Sequence, residues 1–109
     1  MELTIATAVT GAGRHTISLG GAIDLQSRAD LVAAGHAALA AASCSAVVLN
    51  LAAVTFIDST GIGAIVELAR DAAETGVGFA LQDPSARVMR ILQLTGLQDA
   101  WTIESVATL

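Results

Sequence analysis

Ala46-Val47-Val48-Leu49-Asn50-Leu51-Ala52-Ala53-Val54-Thr55-Phe56-Ile57 runs without a break into Asp58-Ser59-Thr60-Gly61. The first twelve residues are almost all apolar, which is how a buried strand reads. After Gly61 the period of the apolar positions changes. Ile62, Ile65, Val66, Ala69 and Ala73 recur every three or four residues, the spacing of a helix with one buried stripe. Asp58, Ser59 and Thr60 therefore stand at a corner where a strand ends and a helix starts, the helix beginning near Thr60 or Gly61. Small polar side chains at such a corner face solvent beside the unpaired N–H groups and positive dipole end of the helix. The corner suits an N-cap at Asp58 or Ser59, and it also suits a phosphate.

Upstream, Leu3, Ile5 and Val9, with Thr4 and Thr7 between them, open a first strand. Gly11-Ala12-Gly13 reads as a hairpin turn, and His15 to Leu19 as a second, antiparallel strand that Gly20-Gly21 ends. Asp24 follows in a short loop. A helix runs from about Leu25 or Gln26 to Ala42, with Leu25, Ala29, Val32, His36 and Leu39 on one stripe. Ser27 and Asp30 have the spacing of a capping box. Ser43-Cys44-Ser45 is a loop. Downstream of the corner, the second helix ends at Gly76, a residue suited to the position after a helix. Val77, Phe79 and Leu81 alternate as a strand. Asp83-Pro84-Ser85 opens a third helix, with the proline in its first turn. That helix carries Val88, Met89, Ile91, Leu92 and Leu94 and stops at Gly96. Trp101, Ile103 and Val106 close the chain as an edge strand.

The resulting order, β-β-α-β-α-β-α-β, predicts a single α/β domain over residues 1–109, a mixed β-sheet with helices packed against it. Parallel strands place their C-terminal ends on one edge, where open α/β sheets carry their sites. The loops holding Asp24, Asp58-Ser59-Thr60 and Asp83-Pro84-Ser85 are expected to gather there.

Composition narrows the function. The chain is 54% hydrophobic and carries a net charge of -5, so it lacks the clustered cations that nucleic-acid backbones require. All five cations are arginine, and without lysine there is neither a P-loop nor a Schiff base. One cysteine, Cys44, allows no internal disulfide. The start, Met1-Glu2-Leu3-Thr4-Ile5, does not read as a signal peptide, and no apolar run reaches a membrane span of about 18 residues. A soluble cytoplasmic protein is expected, with no membrane partner.

Enzymatic readings fail residue by residue. Ser59 is no nucleophile elbow, because Ile57 stands where the first glycine belongs. Gly61-Ile62-Gly63 begins a dinucleotide fingerprint, yet Val66 occupies the third glycine position. Two histidines, one cysteine and scattered carboxylates show no ligand spacing, so no metal and no cofactor is expected. His36 reads as a residue packed beside the sheet, Arg87 and Arg90 as a solvated face, and Cys44 as an inert small residue.

The stretch from Val47 through Gly63, with Phe56-Ile57-Asp58-Ser59-Thr60-Gly61 at its centre, resembles the signature of the STAS family, the anti-sigma factor antagonists. Leu19-Gly20-Gly21-Ala22-Ile23-Asp24 resembles that family's strand-to-Asp segment. Asp83-Pro84-Ser85 to Gly96-Leu97 resembles its closing helix motif. The resemblance implies a cytoplasmic bacterial protein that binds an anti-sigma factor of the serine kinase type, is phosphorylated at Ser59 and is then released. It implies a partner surface formed by Asp24, Asp58, Ser59, Thr60 and Gly61. A second reading keeps the fold and changes the task, to a non-phosphorylated STAS subunit of a lipid-transport ABC system. Two departures stand out. Asn50 occupies a position where many members carry aspartate, which is expected to alter the loop below the site. The chain closes at Leu109, which leaves a short or missing last helix.

Overall fold

The structure, a computed structural model, describes residues 2–105. All the expected elements are present in the expected order. They are β1 (Leu3–Thr10), β2 (Arg14–Ile23), α1 (Arg28–Ala40), β3 (Ala46–Ile57), α2 (Ser59–Glu74), β4 (Gly78–Gln82), α3 (Ala86–Thr95) and β5 (Thr102–Glu104). The strands form one sheet in the order β1-β2-β3-β4-β5. β1 pairs with β2 antiparallel, and every later pairing is parallel. The turn between β1 and β2 is a short 3₁₀ segment in which Ala12 and Gly13 both take positive φ. Val106, expected in the closing strand, lies outside the described residues, as does the chain end.

Alternation decides the core. His15, Ile17 and Leu19 of β2 and Val47, Leu49 and Leu51 of β3 are buried on the same side of the sheet, as a period of two requires. α1 packs on β2 and β3, α2 on β3 and β4, and α3 on β3. Ile62, Ile65 and Leu68 of α2, Leu31 of α1, and Val88 and Leu92 of α3 complete one continuous cluster. Phe79 and Trp101 meet edge to face at 6.0 Å beside it.

Three local expectations are corrected. Gly20-Gly21 does not end β2, which continues to Ile23. Gly21 sits at φ +96°, and a Cβ there would lie 2.1 Å from the Glu2 carbonyl oxygen. The glycine admits a close backbone approach inside the strand, sealed by a bond from Ala22 N–H to that carbonyl at 3.2 Å. α1 starts at Arg28 and buries Leu31, Gly35 and Ala38, leaving Leu25 73% exposed and His36 exposed. Apart from His36 the run 33–42 is small and apolar on every side, so its periodicity does not single out the buried face. α2 buries Ile62, Ile65 and Ala69 as expected, with Leu68 and Ala72 added. Val66 and Ala73 face outward.

Candidate functional site: the corner at the ends of β2 and β3

β2 and β3 run together from Arg14 beside Ala46 to Ile23 beside Ile57. Over that span β3 uses two more residues than β2, at register shifts after Ser18/Asn50 and after Gly21/Val54. Each extra residue is a bulge that locally frees backbone groups. Asn50 handles the first. Its Oδ1 accepts Ala52 N–H at 3.1 Å, while its Nδ2 donates to Gln82 Oε1 at 2.8 Å. Asn50 thus belongs to the middle of the sheet, joining β3 to β4, and has no part in a loop below the corner.

The corner follows from these strand ends. Asp58 N–H donates to the Ile23 carbonyl at 3.3 Å, so the residue after β3 is tied to the last residue of β2. Asp58 has extended backbone angles and is the N-cap of α2, its Oδ1 accepting Gly61 N–H at 2.9 Å. A Cβ on Gly61 would stand 2.5 Å from the Ile23 carbonyl oxygen and 2.8 Å from Ile57 Cγ1. Only glycine allows the first turn of α2 to sit this close to the end of β2.

Asp24 has its own local task. Its Oδ1 accepts the N–H groups of Gln26 and Ser27, both at 3.1 Å. The Ser27 hydroxyl accepts Asp24 N–H and donates to the Ala22 carbonyl, both at 2.9 Å. The expected box between Ser27 and Asp30 is therefore replaced by a reciprocal pair between Asp24 and Ser27. The Ser27 N–H, more than any other group, holds the Asp24 carboxyl below its ordinary value. Partial desolvation opposes this, and the Ser27 hydroxyl and Gln26 N–H add to the lowering.

Ser59 is the first residue of α2 and is exposed, while Thr60 is half-buried and Gly61 buried. Because Asp58 supplies the cap, the Ser59 hydroxyl makes no hydrogen bond among the described residues. Asp24, Asp58, Ser59, Thr60 and Gly61 thus come together in one corner, with exposed Leu25 next to it in the chain.

Asp83 does not join them. β4 ends at Gln82, level with Asn50, so Asp83 lies seven residues short of Asp58, roughly 20 Å back along β3 at about 3.3 Å per residue. Asp83 N–H donates to the Glu104 carbonyl at 2.8 Å. Pro84 precedes the helix, and Ser85 is its N-cap. The Ser85 hydroxyl accepts Val88 N–H at 3.4 Å and donates to the Val54 carbonyl at 2.8 Å.

Neither histidine lies at the corner. His15 is buried early in β2, by Val47. His36 turns outward from α1, with its Nε2 2.8 Å from Asp71 Oδ2. One donor atom each of His36, Glu67 and Asp71 falls within 4.8 Å of the others, a grouping that the sequence reading did not foresee. Glu67 and Asp71 are visibly one helical turn apart in the sequence. Their meeting with His36 depends on how α1 crosses α2, which no local spacing encodes.

The family model of the STAS domain matches residues 6–108. The chain belongs to the STAS-domain family. Among solved structures, the STAS fold here is similar to an anti-sigma factor antagonist from Mycobacterium paratuberculosis, at 29% identity and a TM-score of 0.76, covering 94% of this chain and 86% of that one. It is similar to the phosphorylated form of the Bacillus cell fate determinant SpoIIAA, at 21% identity and 0.74, over 96% and 92%. It is also similar to a sulfate transporter family protein from Wolinella succinogenes, at 20% identity and 0.75, over 89% and 80%. The last two likenesses concern the fold alone. No helix among the described residues is long and apolar enough to cross a membrane.

Proposed function

We propose that this STAS domain is an anti-sigma factor antagonist. In this reading it binds an anti-sigma factor of the serine kinase type through the corner of Asp24, Asp58, Ser59, Thr60 and Gly61, and phosphorylation of Ser59 releases it. The observation that carries the reading is the division of labour at the corner: Asp58 caps α2, and among the described residues the exposed Ser59 hydroxyl has no hydrogen-bond partner. A hydroxyl that holds nothing together can be modified without unfolding the domain. The similarity to the Mycobacterium paratuberculosis antagonist supports the same reading. In this reading the domain acts by binding, in the cytoplasm, rather than by catalysis.

The switch is electrostatic. Phosphate adds about −1.5 to −2 charges at Ser59, next to Asp58 and beside the Asp24 turn. Two unit charges 4 Å apart are worth ~4 kcal/mol at an effective dielectric of 20. A third to two-thirds of that, set against a docked partner, weakens binding by about ten- to a hundredfold. Within the folded domain the α2 N-terminus offsets part of the repulsion, since its N–H groups face the new anion. Release without unfolding is the result.

The test is incubation with ATP and the candidate anti-sigma kinases of the source genome, followed by phosphopeptide mapping and calorimetry. Phosphate is expected on Ser59 alone. Ser59→Ala is expected to bind as the wild type does, and Ser59→Asp at least tenfold more weakly, a change of ~1.4 kcal/mol. Phosphate on Thr60, or equal affinity for all three forms, overturns the assignment. Absence of any phosphorylation, with binding to a transporter ATPase instead, favours the lipid-transport alternative.

A further inference from the structure

Away from the corner, α1 crosses α2 on the outer surface, and three metal-ligating side chains meet there. His36 projects from α1, and Glu67 and Asp71 project from α2. One donor atom from each lies within 4.8 Å of the others. The side chains are 48% exposed for His36, 26% for Glu67 and 27% for Asp71. They are open to solvent on one side and backed by protein on the other. The helix contact behind them is fixed. A Cβ on Gly35 would lie 2.3 Å from Leu68 Cδ2, and these two residues are the chain neighbours of His36 and Glu67. Close packing of Gly35 on Leu68 therefore sets the gap across which the imidazole meets the carboxylates.

We propose that His36, Glu67 and Asp71 bind a divalent first-row transition cation of the zinc class. The donor set is one imidazole nitrogen and two carboxylate oxygens, with water completing the coordination. Imidazole favours zinc, copper and nickel over magnesium and calcium, which prefer oxygen alone. Two carboxylates match the charge of a dication. His36 Nε2 and Asp71 Oδ2 already share a hydrogen bond at 2.8 Å, and the cation takes the place of that proton. Two guanidiniums oppose it. Arg28 holds Glu67 Oε1 at 2.5 Å, which leaves Oε2 for the cation. Arg70 Nε stands 3.9 Å from Asp71 Oδ1 and is 63% exposed, free to move off. Their positive charge lowers the affinity for the cation. Occupancy clamps α1 to α2, the helix that carries Ser59, and stabilises the folded state by mass action.

Isothermal calorimetry of the untagged protein with zinc chloride, paired with amide NMR, tests the site. One equivalent is expected to bind, with the largest shifts at His36, Glu67 and Asp71. His36→Ala, a change at an exposed position, is expected to weaken binding at least tenfold. Arg28→Gln is expected to tighten it severalfold by freeing Glu67, a gain that a purely structural cluster does not give. Cys44→Ser is expected to leave it unchanged, and magnesium to bind at least tenfold more weakly than zinc. Absence of saturable zinc binding overturns the proposal. So does wild-type affinity in His36→Ala, a shift pattern centred on Cys44 or His15, or magnesium binding as tightly as zinc.

Discussion

Asp58 and Asp83 look alike in the sequence, each an aspartate closing a strand ahead of a helix, yet they sit in very different halves of the sheet. β2 and β3 run for 10 and 12 residues and stay paired to their last residues, Ile23 and Ile57. β4 and β5 have only 5 and 3 residues. At the long end two chains finish side by side, so Asp58 finds the Ile23 carbonyl and caps α2 directly. At the short end Asp83 is held at φ +48° against Glu104, and capping passes to Ser85, which bonds to the flank of β3. β4 and β5 also finish side by side, at Gln82 and Glu104, but level with Asn50, so a polar residue joins the corner only when its own strand reaches the height of Ile57.

The comparison can be broken most forcefully through the core beneath the long end. Ile65→Ala is expected to cost about 2–5 kcal/mol, as the loss of a fully buried aliphatic side chain. Leu94→Ala in α3, where the side chain is 71% exposed, is expected to stay within ~0.5 kcal/mol. Chemical denaturation of both variants checks the contrast, and similar costs would mean that α3 and α2 contribute alike.

The two halves also use glycine differently. Gly61→Ala is expected to cost about 1–3 kcal/mol by overpacking, since its Cβ meets the Ile23 carbonyl. Gly96, at φ +74° with open space around it, serves conformation alone, and Gly96→Ala is expected to cost about 1 kcal/mol. Only the first is expected to disturb the amide resonances of Ile23 and Asp58 in NMR spectra.

Asp58→Ala removes the α2 cap and is expected to cost about 1 kcal/mol. Ser59→Ala, one residue on, is expected to cost less, because its hydroxyl caps nothing. If thermal melts rank them the other way, the division of labour at the corner is wrong.

The smallest effect is acid-dependent. The Asp24 carboxyl is held below its ordinary value of 3.8 by bonds present only in the folded state. Its contribution is therefore fully present above that value and is lost as pH falls through the lower folded-state value. Asp24→Asn is expected to flatten the acid limb of melting temperature against pH while leaving the neutral region almost unchanged. An unchanged acid limb would show that the Asp24 carboxyl is as free in the folded chain as in the unfolded one.

What the sequence disclosed, and what it hid, follows the same physical line. The β3-to-α2 junction was legible because three local signals agree there: an apolar run, a change of period and an N-cap aspartate. The corner of Asp24, Asp58, Ser59, Thr60 and Gly61 was legible through resemblance and through the rule for parallel strand ends. Asp83 was misplaced because strand length relative to a neighbour is a tertiary property. Gly20-Gly21 hides its role because a glycine pair reads the same whether it ends a strand or lets Glu2 approach one. The buried face of α1 was misassigned because alanine on all sides gives no contrast. The same lack of contrast puts His36 on the inward stripe and hides its meeting with Glu67 and Asp71.

The paired bulges of β3 limit how this chain can change length. Each bulge absorbs its extra residue: Ala52 and Ala53 both face outward between buried Leu51 and Val54, and Ile57 still pairs with Ile23 on the buried face. Deleting one bulge residue, Ala52 for example, would restore plain alternation from Leu51 to Val54 and leave Ile57, Asp58 and Ser59 at the end of β2. Deleting two, one at each bulge, would shorten β3 to the ten residues of β2 and leave the corner facing as it does now. Single deletions are therefore expected to be tolerated at the two bulges, whereas one in the regular stretch 46–50 breaks the alternation that buries Val47 and Leu49.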